Sequence, residues 1–204
     1  IPAIGNFTHT DTMPNFRQIE SILDVDGQAW DALVATEQPF ARHGFLAALE
    51  ASGSVSADQG WQPAHGLLEA DDGSLIGAAP MYVKDHSFGE FVFDFAWANA
   101  YRQVGLSYYP KLINAIPFSP VAGPRLLADS EATRKLLADI LVELPERMGV
   151  SSLHSLFDDD TSAAALMGAG AHARRGCQYR WFNRGYRDFN DFLSHLSSKR
   201  RKEI

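Results

Sequence analysis

Cysteine is almost absent: Cys177 is the single one in 204 residues. No intrachain disulfide can form, which fits a reducing compartment and sets a cytoplasmic expectation. A lone cysteine reads as a small buried apolar residue before it reads as a catalytic thiol. No apolar run approaches the roughly 18–20 residues that cross a bilayer. The N-terminus lacks the basic region and apolar core of a secretory signal. Positive charge is in deficit, 18 Lys and Arg against 25 Asp and Glu. That balance argues against a general nucleic-acid binder, although one local basic groove remains compatible with it. No metal-ligand spacing and no G-x-S-x-G elbow occurs. His65, His86, His154 and His172 stand apart from one another and read as structural histidines, each needing a partner if buried.

What is present is an ordinary globular composition, 46% hydrophobic and 21% charged. The length favours one large domain with a sizeable core. Arg17–Val25 alternates and predicts a first strand. Asp26 caps a helix over GQAWDALVAT, and a second helix follows Pro39, with Phe45, Leu46 and Leu49 at helical spacing and Gly53 as terminator. Asp71-Asp72-Gly73 joins two strands, 61–70 and 74–84, as a hairpin. A helix is expected within 91–104, then strands at 112–118 and 121–127. Asp129 or Ser130 caps a long helix with a stripe of Leu136, Leu137, Ile140, Leu141 and Leu144. A strand at 151–157, a helix after Asp158-Asp159-Asp160, a strand over 172–183 and a final helix from Asp188 complete the order. This predicts a mixed central sheet flanked by helices, an α/β (α+β) fold.

The stretch from Pro80 to Leu127 organises the rest. It holds Trp97, five of the 13 phenylalanines and five of the 10 prolines. Rings of this size bury on the order of 150–250 Å² each, yet charges are threaded among them. Lys84, His86, Glu90, Asp94, Tyr108, Tyr109, Lys111 and Arg125 are the candidate substrate-binding residues. Lysine and arginine suit a phosphate or carboxylate, and tyrosines can wall a sugar or amide. Lys84, Glu90, Asp94, Tyr108, Lys111 and Arg125 are expected to line one cleft. The alternative is a structural ion pair of Asp94 with Lys84 or Arg125.

GEFVFDFAWANAYRQVGLSYYPKLINAIPFSPVAGPRLL, with GWQPAHGLLEADDGSLIGAAPMYVKDHS before it and SSLHSLF and QYRWFNRGYRDFNDFLSHLSSKRRKEI after it, resembles the Fem-like family of peptidoglycan biosynthesis and recognition, related to GNAT acyltransferases. The resemblance covers about residues 19–204. It implies a GNAT-like domain over 13–187, the first of two tandem acetyltransferase-like domains, with 188–204 starting a helix toward an absent second domain. In that helix Phe189, Phe192, Leu193 and Leu196 form an apolar stripe ahead of Lys199, Arg200, Arg201 and Lys202. Residues 1–12 match nothing in the family and read as a tag or an N-terminal extension.

The resemblance also implies transfer of an acyl or aminoacyl group to an amine, in connection with peptidoglycan precursors. A full-length protein would draw on acyl-coenzyme A or aminoacyl-tRNA. Within this half no cofactor is expected. The nearest approach to a coenzyme A pyrophosphate loop, Arg102-Gln103-Val104-Gly105-Leu106-Ser107, departs at its last position and follows a helix. Catalytic residues are not assigned, and the resemblance places them in the missing half. The expected partners are the acceptor, the second half and a second copy of the chain, with tRNA as the one nucleic acid. Two other readings stand beside this one: a catalytically silent module for acceptor binding or pairing, and an acetyl-coenzyme A-dependent N-acetyltransferase of a small molecule.

Overall fold

The computed structural model describes residues 14–34, 38–177 and 179–204. The chain divides into a large unit ending at Ala173 and a short unit, Arg174–Ile204.

The large unit is built on one hairpin. Its first arm comprises β2 (Gln62–Pro63) and β3 (His65–Glu69), its second β4 (Leu75–Ala79) and β5 (Met81–Lys84). The turn carries Gly73 at φ 81°, a conformation glycine adopts without a Cβ clash. Pro80 has no N–H to give the ladder and splits the second arm. The pairing keeps its register across the split, with Gly66 opposite Ala79 and Pro63 opposite Tyr82. The hairpin therefore feeds two four-stranded sheets. One adds β1 (Asn15–Ile19), antiparallel to β3, and β7 (Leu127–Ala128), antiparallel to β4. The other adds β6 (Lys111–Asn114), antiparallel to β5, and then β8 (Leu153–Ser155), parallel to β6.

Consecutive side chains on a strand point to opposite faces. Ala78 packs with Ile22, Trp30, Leu46 and Leu67, and Ala79 packs with Leu112, Leu137, Leu141 and Leu166. One face is thus covered by α1 (Gly27–Ala32) and α2 (His43–Ala51), the other by α4 (Glu131–Met148) and α5 (Asp160–Gly168). Full burial of such side chains stabilises by about 1.5–3 kcal/mol each. The helix starts follow the sequence. Asp26, Ser130 and Asp159 each accept a main-chain N–H in the first turn of α1, α4 and α5. His65, buried between the arms, accepts the Met81 N–H at Nδ1 and bonds Glu50 through Nε2 at 2.9 Å. Glu50 also accepts from Ser21 and the Ile22 main chain, so one carboxylate ties α2 to the turn after β1.

Five expectations are corrected. The first strand ends at Ile19, and Ser21 caps a short 3-10 turn, Ile22–Asp24. The second of the two middle strands is only Leu127–Ala128. The described residues of 172–183 contain no strand, because alternation specifies a face but supplies no edge to pair with. The expected final helix is two helices, α6 (Phe189–Ser194), capped by Asp188, and α7 (Ser198–Glu203), capped by Ser197. Cys177, expected to be buried, is free and exposed. Within the short unit Trp181, Tyr186 and Phe192 pack ring against ring at 5.3–6.2 Å. Among the described residues no helix is long and apolar enough to cross a membrane.

Candidate functional site

The second hairpin arm ends at Lys84, and the chain then leaves the sheet until Lys111 opens β6. This excursion carries α3 (Phe95–Gln103), none of whose residues is buried. Lys84 and Lys111 are direct register partners, so their side chains share one face of an antiparallel pair. Like charges placed this way repel, and both lysines are fully buried. The sequence accommodates two adjacent buried ammonium groups by folding acids from the excursion over them.

Lys111 Nζ donates to Ser87 Oγ at 2.8 Å, to Glu90 Oε2 at 2.8 Å and to Asp94 Oδ2 at 2.6 Å. Its three protons are all placed. Tyr108 donates to the same Asp94 oxygen at 2.7 Å. Tyr109 shares a 2.8 Å hydrogen bond with Ser87. Lys84 Nζ donates to the Phe88 carbonyl at 3.1 Å and lies 3.8 Å from the centroid of the Trp61 ring, a cation–π contact. Gly89 makes the return possible: its φ is 81°, and a Cβ there would stand 2.7 Å from the Phe118 ring.

The surroundings split the two carboxyls. Burial raises Glu90 above the usual carboxylate range despite its bond to Lys111. Burial also pushes Asp94 upward, but the hydrogen bonds from Lys111 and Tyr108 outweigh it and hold Asp94 below that range. Burial lowers Lys84 to about 8, opposed by Glu90 and reinforced by Lys111. Each carboxylate keeps one oxygen in reserve: Glu90 Oε1 and Asp94 Oδ1 are buried and meet no donor. Groups of different proton affinity beside unfilled acceptors are the features of a reactive site.

The structure thus brings together Lys84, Glu90, Asp94, Tyr108, Tyr109 and Lys111. They form a closed cluster and do not wall an open cleft: the first three, Tyr108 and Lys111 are at most 7% exposed. The Asp94 partner is Lys111, because the strand register delivers Lys111 to the return of the excursion, where Lys84 or Arg125 had been expected. His86 lies at the margin, its Nδ1 accepting from the Phe88 N–H. Arg125 does not join. It is buried among main-chain carbonyls, donating to Leu156 at 2.7 Å, Val121 at 2.8 Å and Pro124 at 3.2 Å. Burial lowers it to about 10. Two members were missed. Ser87 bridges Lys111 and Tyr109, and nothing in its residue type announces that. Trp61 lies next to Gln62, which pairs with Val83, so the observed register sets it opposite Lys84, whereas counting outward from the Asp71-Asp72-Gly73 turn without the bulge at Leu68/Glu69 sets it opposite Val83.

The Arg102–Ser107 segment closes α3. The N–H groups of Val104, Gly105 and Leu106 all bond back to carbonyls of Tyr101 and Arg102, the arrangement of a helix C-cap. Among the described residues no group of three or more His, Cys, Asp or Glu is placed to hold a metal. A surface hollow of about 710 Å³ lies elsewhere, lined by Asp26, Asp31, Arg42 and His43.

No curated protein matches this sequence. Among solved structures, aminoglycoside antibiotic 6'-N-acetyltransferase AAC(6')-Ih from Acinetobacter baumannii is similar, with a TM-score of 0.47 and 15% identity, over 84% of this chain and 99% of that one. The sequence profile of the FemAB-like family, described as peptidoglycan biosynthesis/recognition, matches residues 21–204, and the chain belongs to that family.

Proposed function

We propose that the protein is an acyl- or aminoacyl-transferase that presents an amine acceptor, related to peptidoglycan precursors, to an activated acyl donor. Family membership supports the substrate class. The observation that carries the reading to a site is the buried, unpartnered Oε1 of Glu90 beside Lys111. An acceptor ammonium placed there gives a proton to Glu90, whose raised proton affinity suits a general base. The free amine then attacks the acyl carbon. A C–N bond forms, the bond to the oxygen or sulfur of the donor breaks, and the second proton of the amine leaves on that oxygen or sulfur. Lys111, held by three bonds, keeps Glu90 and Asp94 in place, which is the positioning part of the catalysis.

A second reading, acceptor binding without transfer, is favoured by the Arg102–Ser107 segment, in which the Val104, Gly105 and Leu106 N–H groups are spent on the end of α3. One experiment separates the two. The protein is incubated with acyl thioester or aminoacyl ester donors and a panel of amines, and amide products are sought by mass spectrometry. Transfer is expected, and Glu90→Gln should slow it by roughly 10²–10⁴-fold, the usual contribution of a positioned base. Amide formation unaffected by Glu90→Gln would remove Glu90 from the mechanism. Acceptor binding with no product from any donor would favour the silent module.

A further inference from the structure

We infer that the acceptor taken by this site is an amino-carboxylate: a molecule carrying both an ammonium and a carboxylate, the second read by Lys84. The inference rests on the transferase reading only for the word acceptor; the ligand class follows from the hydrogen-bonding capacity of the cluster.

Lys111 is complete, with three donors meeting three oxygens. Its neighbours are not. Glu90 and Asp94 each hold one buried oxygen that meets no donor, and both residues are more than nine-tenths buried. Lys84 has the opposite deficit. It places one proton on the Phe88 carbonyl and sets its charge against the Trp61 ring. An ammonium has three donors, so it retains N–H groups with no polar acceptor, although its side chain is fully buried. Unfilled polar capacity of this kind is costly in a dry interior. Here both signs of it occur in one cluster.

A simple amine fills the carboxylate oxygens and leaves Lys84 unmet. A simple acid fills Lys84 and sets a third carboxylate near two others. Either one changes the buried charge by a full unit, which is expensive without a partner. A zwitterion fills both deficits and leaves the net charge unchanged. A phosphate dianion fits less well, because it faces the same two carboxylates with twice the charge. The segment that carries Glu90 and Asp94 enters through Gly89 at φ 81° and leaves through Gly105 at φ 75°, and its helix has no buried residue.

The test is calorimetric binding of glycine, 4-aminobutyrate and 6-aminohexanoate to the whole chain, each with its matched amine and matched acid. At least one amino-carboxylate should bind about tenfold or more tighter than both of its matched partners, since a site built around polar groups discriminates strongly against ligands that leave them unpaired. Lys84→Met should erase that preference over the amine. A second readout needs no variant. In the Lys84 ε-carbon resonance, the titration midpoint of about 8 should move up when the amino-carboxylate binds and down when the amine binds. Equal affinity for amine and amino-carboxylate, a midpoint that does not rise, or no binding by any of the series overturns the inference. Amino-carboxylate binding with no amide product from any donor refutes the transferase reading and leaves the ligand class standing. Product formed equally on all amines does the reverse.

Discussion

Two buried cation sites flank the same strand, and they are satisfied in opposite ways. Arg125 sits in the excursion between β6 and β7. Its guanidinium bonds only to main-chain carbonyls, while Asp158 and Asp159 act on it through their fields. Lys84 and Lys111 bound the excursion between β5 and β6, facing carboxylates that keep spare oxygens. Carbonyls hold a guanidinium in one fixed place, so Arg125 pins 121–125 to the end of β8. Carboxylates can exchange partners and protons, so the lysine cluster holds acceptor capacity in reserve and the Arg125 site does not. Burial of a cation is common to both; the identity of its acceptors separates scaffold from site.

The largest expected effect is on the scaffold side. Arg125→Met deletes the donor to three carbonyls, and stability should fall by about 3–5 kcal/mol. Urea unfolding checks this. Most of the loss should persist from pH 7 to pH 5, because the orphaned groups are carbonyls; only the part carried by the field of Arg125 on the buried Asp158 should fade as that carboxyl takes up a proton. A loss below about 1 kcal/mol would break the comparison.

Lys111→Met comes next, at about 2–4 kcal/mol near neutral pH, since it strands Glu90 and Asp94 without their cation. The loss should shrink toward pH 5, where stranded carboxylates take up protons. Adding Glu90→Gln and Asp94→Asn to the same variant should restore more than half of it. Failure of that rescue would mean that Lys111 acts through packing, as Arg125 does through its carbonyls, and the contrast between the two sites would collapse.

Much of this scaffold was legible in the chain, and the reasons are local. The Asp71-Asp72-Gly73 turn, the stripe of α4 and the caps Asp26, Ser130 and Asp188 are short-range signals, and the structure contains them. The mixed sheet with flanking helices followed from their order. The density of charge among aromatics marked Lys84, Glu90, Asp94 and Lys111 as belonging together. Arg125 was grouped with them because its true partners are carbonyls, which leave no mark on residue type. Trp61 was not assigned to Lys84 because the bulge at Leu68/Glu69 shifts any register counted outward from the turn. The strand expected over 172–183 relied on alternation alone, and alternation does not say whether an edge is available.

The smallest effect is the most diagnostic, because it separates the two cation sites by pH. Lys84 titrates near 8 in the folded chain, against an ordinary value of 10.5, chiefly through burial. Between those values the unfolded chain holds a proton that the folded chain has released. Stability therefore rises with pH across that window and carries the full burial cost below it. The rise from pH 8 to 10 should be about 1–2 kcal/mol, since each unit of difference corresponds to about 1.4 kcal/mol and other groups oppose part of it. Arg125 has been lowered only to about 10, so its window opens where that of Lys84 is closing. Unfolding measured from pH 7 to 10 should show the slope in the native chain and lose it in Lys84→Met. Arg125→Met should keep the slope while losing stability throughout. A slope that persists in Lys84→Met would assign the titration to another group and remove the difference on which the two-site comparison depends.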